Sequence, residues 1–297
     1  MEVGHFYNMQ NGLTVLNNYG KLFMSLLNSN TLNELVSSTT DQIKKKPQDA
    51  DLRVHLFQYL SFLGQWDRAA AQLDFCMKLS SASMPLVTQY NLAILAEQRR
   101  EQVFKGNMKP KMPDLGSELM QDMTLMLTAL SVDLDGDYTK AAEIREKILE
   151  RMPANPCCIT SMKKEGQDTV EVETKHEWLM DMDSRIVNIC EYFKDGEYYW
   201  IPFAEIEEIT LLSPKGMADL IWSNASIKLK KSGQEIVGII PARYPLLENH
   251  QLVDELLTCK QTNWVAHGEN YWGEGQKLFA TDQEEIGFLD IRKIAFV

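Results

Sequence analysis

The chain has 297 residues, of which 44% are hydrophobic, 24% charged and 9% aromatic. That is the composition of a globular protein long enough to bury about three quarters of its unfolded surface, and it excludes a disordered or fibrous chain. Thirty basic against 42 acidic residues leave a net charge of −12, which repels phosphate backbones and anionic lipid, so neither nucleic acid nor a membrane surface is expected as a partner.

The strongest basic run, Lys44-Lys45-Lys46, is followed by Pro47, Asp49 and Asp51 and reads as the last turn of a helix, where cations meet the helix dipole. Five cysteines (Cys76, Cys157, Cys158, Cys190 and Cys259) show no CxxC spacing, the pattern of a reduced compartment. Met1–Gln10 carries Glu2 and no basic region ahead of an apolar run, and no uncharged stretch approaches the roughly 18–20 residues of a membrane helix. A cytoplasmic protein is expected.

In chain order, the first half reads as helices. Leu13, Leu16, Leu22, Phe23, Leu26 and Leu27 recur near the helical period, as do Leu52, Leu56, Tyr59, Leu60 and Leu63. Gly64-Gln65-Trp66-Asp67-Arg68-Ala69-Ala70 resembles Gly136-Asp137-Tyr138-Thr139-Lys140-Ala141-Ala142: a glycine ends one helix, an aromatic follows two residues on, and small alanines begin the next. A step of 34 residues back from Gly64 reaches Asn30, and 34 is the period of tetratricopeptide (TPR) helix pairs. The sequence therefore predicts a short, TPR-like solenoid to about residue 155, with a long helix from about Pro85 to Lys105 and a loop from Gly106 to Pro113.

After Pro153 the texture changes. Residues 156–168 read as a linker, and strand-like runs follow at Tyr198–Phe203, Ile206–Leu212, Ile227–Lys231, Ile236–Ile240, Leu278–Thr281 and Phe288–Ile294. Helices are expected over 181–194 and Leu246–Cys259. The fold class is thus α+β in two domains: 1–155 all-α and TPR-like, then 169–297 as a mostly antiparallel α+β domain.

Catalytic patterns are sparse. His5, His55, His176, His250 and His267 are isolated, and there is no HExxH, GxSxG, phosphate loop or dinucleotide fingerprint. Asp181-Met182-Asp183-Ser184-Arg185 is the sharpest polar cluster. Its carboxylates could ligate a metal or act as acid and base, or Asp181 could cap a helix while Arg185 pairs with a carboxylate. No enzyme activity, cofactor or metal is expected. In the run Tyr198-Tyr199-Trp200, strand alternation turns Tyr199 to the face opposite its neighbours.

A series of motifs carries a family resemblance: Asp181-x-Asp183-Ser184-Arg185, Tyr198-Tyr199-Trp200-x-Pro202-Phe203, Asp219-Leu220-x-Trp222, Pro241-x-Arg243-Tyr244-Pro245, Gly273-x-Gly275-Gln276 and Thr281-Asp282. With Leu52-Arg53-x-x-Leu56-Phe57-Gln58, Gly64–Ala69 and Val103-Phe104-x-Gly106 in the helical half, the chain resembles the ImpE family, also called TagJ or SciE, of bacterial type VI secretion. It departs from the family at Lys277, where arginine is expected. The resemblance implies a non-enzymatic accessory protein that binds the N-terminal helix of the small contractile-sheath subunit and is linked to sheath handling with the ClpV ATPase. Aromatic and arginine side chains dominate interface energetics, so Tyr199, Trp200, Trp222, Arg243 and Tyr244 are the expected partner-binding residues, on the C-terminal domain. The alternative is a generic TPR scaffold that binds through its concave helical face, with Gln58, Gln65 and Arg99 as contacts.

Overall fold

The computed structural model describes residues 30–165, 168–246 and 252–297. The expected helix around Leu13–Leu27 and the repeat unit ending at Asn30 lie largely outside the described residues, as do positions 247–251 of the helix expected over Leu246–Cys259.

Among the described residues six α-helices come first: α1 (Leu32–Lys45), α2 (Ala50–Phe62), α3 (Trp66–Leu79), α4 (Met84–Phe104), α5 (Ser117–Leu134) and α6 (Tyr138–Leu149). Thr31 closes a capping box with Glu34 at the start of α1, and Asp49 and Asp137 cap α2 and α6. Gly64 and Gly136, the two repeat glycines, have φ of 67° and 82° at helix ends, a conformation that costs any residue with a Cβ. The long α4 matches its expected span within one residue.

Strands follow as β1 (Cys157–Glu165), β2 (Asp168–His176), β3 (Leu179–Asp181), β4 (Ile189–Lys194), β5 (Glu197–Pro202), β6 (Ile206–Leu211), β7 (Trp222–Leu229) and β8 (Glu235–Pro241). After the single-turn α7 (Asp254–Leu257) come β9 (Thr262–His267), β10 (Asn270–Gly275), β11 (Leu278–Thr281), β12 (Glu285–Gly287) and β13 (Ile291–Phe296). Eight strands form one antiparallel sheet in the order β2-β1-β13-β6-β7-β8-β4-β5; β9 pairs with β10, and β12-β11-β3 make a third, small sheet. The expected α+β class, helices first and antiparallel strands second, is the observed one.

Two expectations are corrected. The segment assigned to a linker is β1, half of a nine-pair hairpin with β2; its polar end Lys163–Glu165 pairs with Asp168–Val170, while Cys157, Ile159 and Ser161 are buried at alternate positions. The helix expected over 181–194 is the end of β3, a turn and then β4. Ile189, Cys190, Tyr192 and Phe193 are β-branched, small or aromatic and bury both faces of that strand. Asp195 and Gly196 both have positive φ, 53° and 76°, and make the tight turn into β5 that an Asp-Gly pair signals.

One apolar cluster is shared by the two halves, running from Leu32, Phe57, Trp66 and Val103 to Trp200, Trp222 and Tyr244. A second cluster fills the opposite face of the sheet, with Ile159, Ile201, Ile227, Phe279 and Phe288. The loop after α4 also closes the β5 edge: Lys111 N donates to Tyr198 O at 2.8 Å and accepts, through its carbonyl, from Trp200 N at 2.9 Å. Gly273 of β10 lies flat beneath Tyr244, and a Cβ there would come 2.2 Å from the ring. Gly273→Ala is expected to cost about 1–3 kcal/mol, read as a lowered denaturation midpoint in urea.

Candidate functional site

Long side chains that could serve chemistry or binding converge on the seam between α4 and the large sheet. Ala93, Glu97, Arg100 and Phe104 follow each other at 4-3-4 spacing, so α4 delivers two charged residues on the same face as its apolar contacts. Arg100 is 1% exposed and grips Glu191 of β4 with both ends of its guanidinium fork, Nε to Oε1 and Nη2 to Oε2, each at 2.7 Å. The same Nη2 donates to Arg243 O at 2.9 Å, and Nη1 lies 3.4 Å from Glu97.

Glu191 also accepts from Tyr198 Oη at 2.5 Å and from Lys277 Nζ at 2.7 Å, and Tyr198 Oη in turn accepts from Trp200 Nε1 at 2.6 Å. Lys277 Nζ continues to Asp181 at 2.9 Å, whose other oxygen accepts from Tyr244 Oη at 2.9 Å. Next to it Asp183 takes the Nε of Arg185 at 2.9 Å and the Gly273 N–H at 2.8 Å. Arg185 itself lies 5.0 Å from the centre of the Phe104 ring and 4.8 Å from that of Trp272. The buried set therefore holds four cations (Arg100, Arg185, Arg243, Lys277) and four carboxylates (Glu97, Asp181, Asp183, Glu191), formally neutral in total.

Burial alone would raise Glu191, but Arg100 and Lys277 outweigh it and hold the carboxyl at about 2. Asp181 goes the other way. Burial raises it, Lys277 opposes, and Asp183 beside it adds to the rise, leaving it at about 6. For Arg243 burial dominates and lowers the pKa from the ordinary guanidinium value, because it faces carbonyls: Phe62 O at 2.8 Å, Leu257 O at 2.6 Å and Ser61 O at 3.4 Å. It closes the C-terminal end of α2, the position where a cation satisfies orphan carbonyls.

Four of the five expected partner-binding residues are thus inside. Trp200 and Trp222 are fully buried, Tyr244 and Arg243 nearly so; only Tyr199 is half exposed. As contacts presented to a partner they are corrected: Trp200, Trp222 and Arg243 join the helices to the sheet, and Tyr244 packs within the sheet half. Trp222 packs against Phe57, Trp66 and Tyr90 at ring distances of 6.3, 5.9 and 5.8 Å, and its Nε1 donates to Glu97 at 3.1 Å. The repeat aromatic Trp66 therefore packs on the sheet half. Tyr244 packs on Trp264 at 5.6 Å.

Of the alternative set, Gln58 is buried, whereas Gln65 and Arg99 line an open cleft of about 560 Å³ between the start of α3 and the second half of α4. Arg99 reaches out of α4 to Gly196 O at 2.5 Å and Glu197 at 2.8 Å. Asp181 and Asp183 are held by different cations, Asp181 by the Lys277 it shares with Glu191 and Asp183 by Arg185, and Asp181 caps no helix. Arg185 does pair with a carboxylate. Among the described residues no three His, Cys, Asp or Glu side chains gather where a metal could bind. Sequence reasoning missed Glu97, Arg100 and Glu191. The signal was present for the first two, as charges at apolar-stripe spacing on α4.

The family described as ImpE protein matches residues 173–295. Over 271 residues, 91% of this chain and 89% of the other, the sequence is 31% identical to the type VI secretion system accessory component TagJ of Pseudomonas aeruginosa. The crystal structure of protein VPA1032 from Vibrio parahaemolyticus shares the fold, with a TM-score of 0.76 and 22% identity over 90% of this chain and 94% of that one.

Two predictions follow from the seam. Trp200→Ala is expected to cost about 3–5 kcal/mol, because it empties a fully buried site and removes the hydrogen bond that the Tyr198 hydroxyl accepts; urea unfolding measures this. Asp181 binds its proton more tightly in the folded chain (about 6, against 3.8), so its contribution to stability grows as pH falls through 6 toward 4 and is lost as pH rises through 6. Asp181→Asn removes that component, and the stability difference between wild type and variant should change across pH 4–7 and level off outside it.

Proposed function

The chain belongs to the ImpE/TagJ family, and from that membership we propose that it is a non-enzymatic adaptor of type VI secretion, acting in the cytoplasm, that binds the N-terminal helix of the small sheath subunit. Through that grip it assists sheath assembly and disassembly alongside the ClpV ATPase, without a cofactor. The observation that carries the reading is the 31% identity to an accessory component over nine tenths of both chains. The inward-turned charges support it: the sharpest polar motifs of the sequence are consumed in holding the fold together. No helix among the described residues is long and apolar enough to cross a membrane.

An amphipathic helix is recognised by laying its apolar stripe in a groove whose rim matches its charge, and a −12 chain suits a helix with basic flanks. On this reading the groove lies on the sheet half, reached through Tyr199, the half-buried member of the Tyr-Tyr-Trp motif. The second reading places it on the helical half, and the open cleft lined by Gln65 and Arg99 favours it.

Calorimetric titration of the full chain with a synthetic peptide of the sheath-subunit helix tests the proposal. Micromolar binding is expected, weakened at least tenfold in Tyr199→Ala and unchanged in Gln65→Ala. The reverse pattern moves the groove to the helical half, and no binding to folded wild-type protein refutes the adaptor reading.

A further inference from the structure

Of the two edges of the large sheet, one is closed and one is open. The loop after α4 covers β5 by bonding to Tyr198 and Trp200, whereas β2, at the other end, pairs with β1 alone among the described residues. Among those residues β2 is also the longest strand at any sheet edge, nine residues with no proline, glycine or bulge to keep a further strand away. What guards it is charge, and charge also selects.

The backbone direction fixes which groups are free. Lys175 O accepts from Gln283 Nε2 at 2.8 Å and Glu177 N donates to Asp282 Oδ1 at 3.0 Å, so the odd-numbered residues turn their backbone polar groups away from β1. The turn after β11 thereby closes the edge at that end. Thr169, Glu171 and Glu173 point the same way, and nothing among the described residues bonds to their outward N–H and C=O groups. Their side chains are exposed on one face, where Met162 and Thr160 of β1 stand opposite the two glutamates; on the other face Val170 and Val172 are half-buried. Neither glutamate has a salt bridge among the described residues. Lys164 stands opposite Thr169 and Lys175 lies at the closed end, so these cations bracket the pair. Arg292 of β13 is spent on Leu289 O and Ile291 O, at 2.8 and 2.7 Å.

We propose that the free stretch Thr169–Glu173 accepts an extended, basic segment of a partner protein as a further strand. Its cationic side chains would stand opposite Glu171 and Glu173, and an aliphatic one between them opposite Val172. Main-chain bonds supply the affinity of such an added strand, and the side chains at alternate positions its specificity. Opposite charges directly across a ladder stabilise it and like charges destabilise it. A second copy is therefore the wrong occupant: antiparallel registers centred on Glu171, Val172 or Glu173 each set glutamate against glutamate. On a chain carrying −12 a basic segment is also drawn in by the field of the whole molecule. This edge takes an extended segment and not a helix, so its failure leaves the adaptor reading intact.

Amide hydrogen exchange of the full chain, read residue by residue by NMR, tests this with two end-blocked peptides. In one, valines alternate with two lysines; in the other, glutamates replace the lysines. The lysine peptide is expected to slow exchange at Thr169, Glu171 and Glu173 at least tenfold, and the glutamate peptide to leave it unchanged. Joint Glu171→Lys and Glu173→Lys substitution, at exposed positions, is expected to reverse the preference while the thermal midpoint holds. No slowing with the lysine peptide overturns the proposal, and so does equal slowing with both. Slow exchange at these amides without peptide, in a sample of twice the monomer mass, assigns the edge to a second copy and overturns it too.

Discussion

The two-pronged grip of Arg100 on Glu191 is the interaction on which the rest of the structure depends. One partner comes from the longest helix and the other from a strand of the large sheet, so the pair fixes where the helical half sits on the sheet. Both are fully desolvated, and an ion pair in that position contributes less to net stability than to geometry, since its desolvation cost offsets much of the attraction. What makes it tolerable is satisfaction of the remaining capacity. Glu191 has Lys277 and Tyr198 as further donors, and Arg100 has a backbone carbonyl and Glu97. Removing any one member would leave a charge buried without its counterpart.

The surrounding motif residues extend the same logic. Trp200 and Trp222 are large apolar bodies whose indole N–H groups need a partner once buried, and each finds one in the network. Arg243 reaches the open end of α2, so a strand-end residue of the sheet half caps a helix of the other half. Lys277, the departure from the expected arginine, sits between Asp181 and Glu191 and serves both with a single ammonium. A compact point charge fits that role, in which the carboxylates approach from different strands and no planar fork is required.

The aromatic-plus-arginine composition that marks binding hot spots also marks a tight internal joint, because both bury large side chains around a few satisfied polar groups. Tyr198, Trp200, Trp222 and Tyr244 could not be sorted between these by residue type. Strand alternation separated Tyr199 from its neighbours, and the structure agrees, but alternation does not say which side faces the interior. That depended on α4 lying across the sheet.

The sequence by itself determined the local elements. Glycines at helix ends, the caps of α1, α2 and α6, the length of α4 and the order of helices before strands all rest on interactions within a few residues, which spacing and residue type report directly. The pairing of Arg185 with a carboxylate was one of two readings that it left open, and the structure has that pair. Only the tertiary structure decided that the supposed linker is a hairpin, that the stretch before Asp195-Gly196 is a strand, and that the motif residues close a seam. Each of these is set by a partner far away in the chain: β13 for β1, β5 and β8 for β4, and α4 for Glu191. Pairing across such separations leaves no periodic trace in a single sequence, because the energy that selects it belongs to the contact and not to either segment alone.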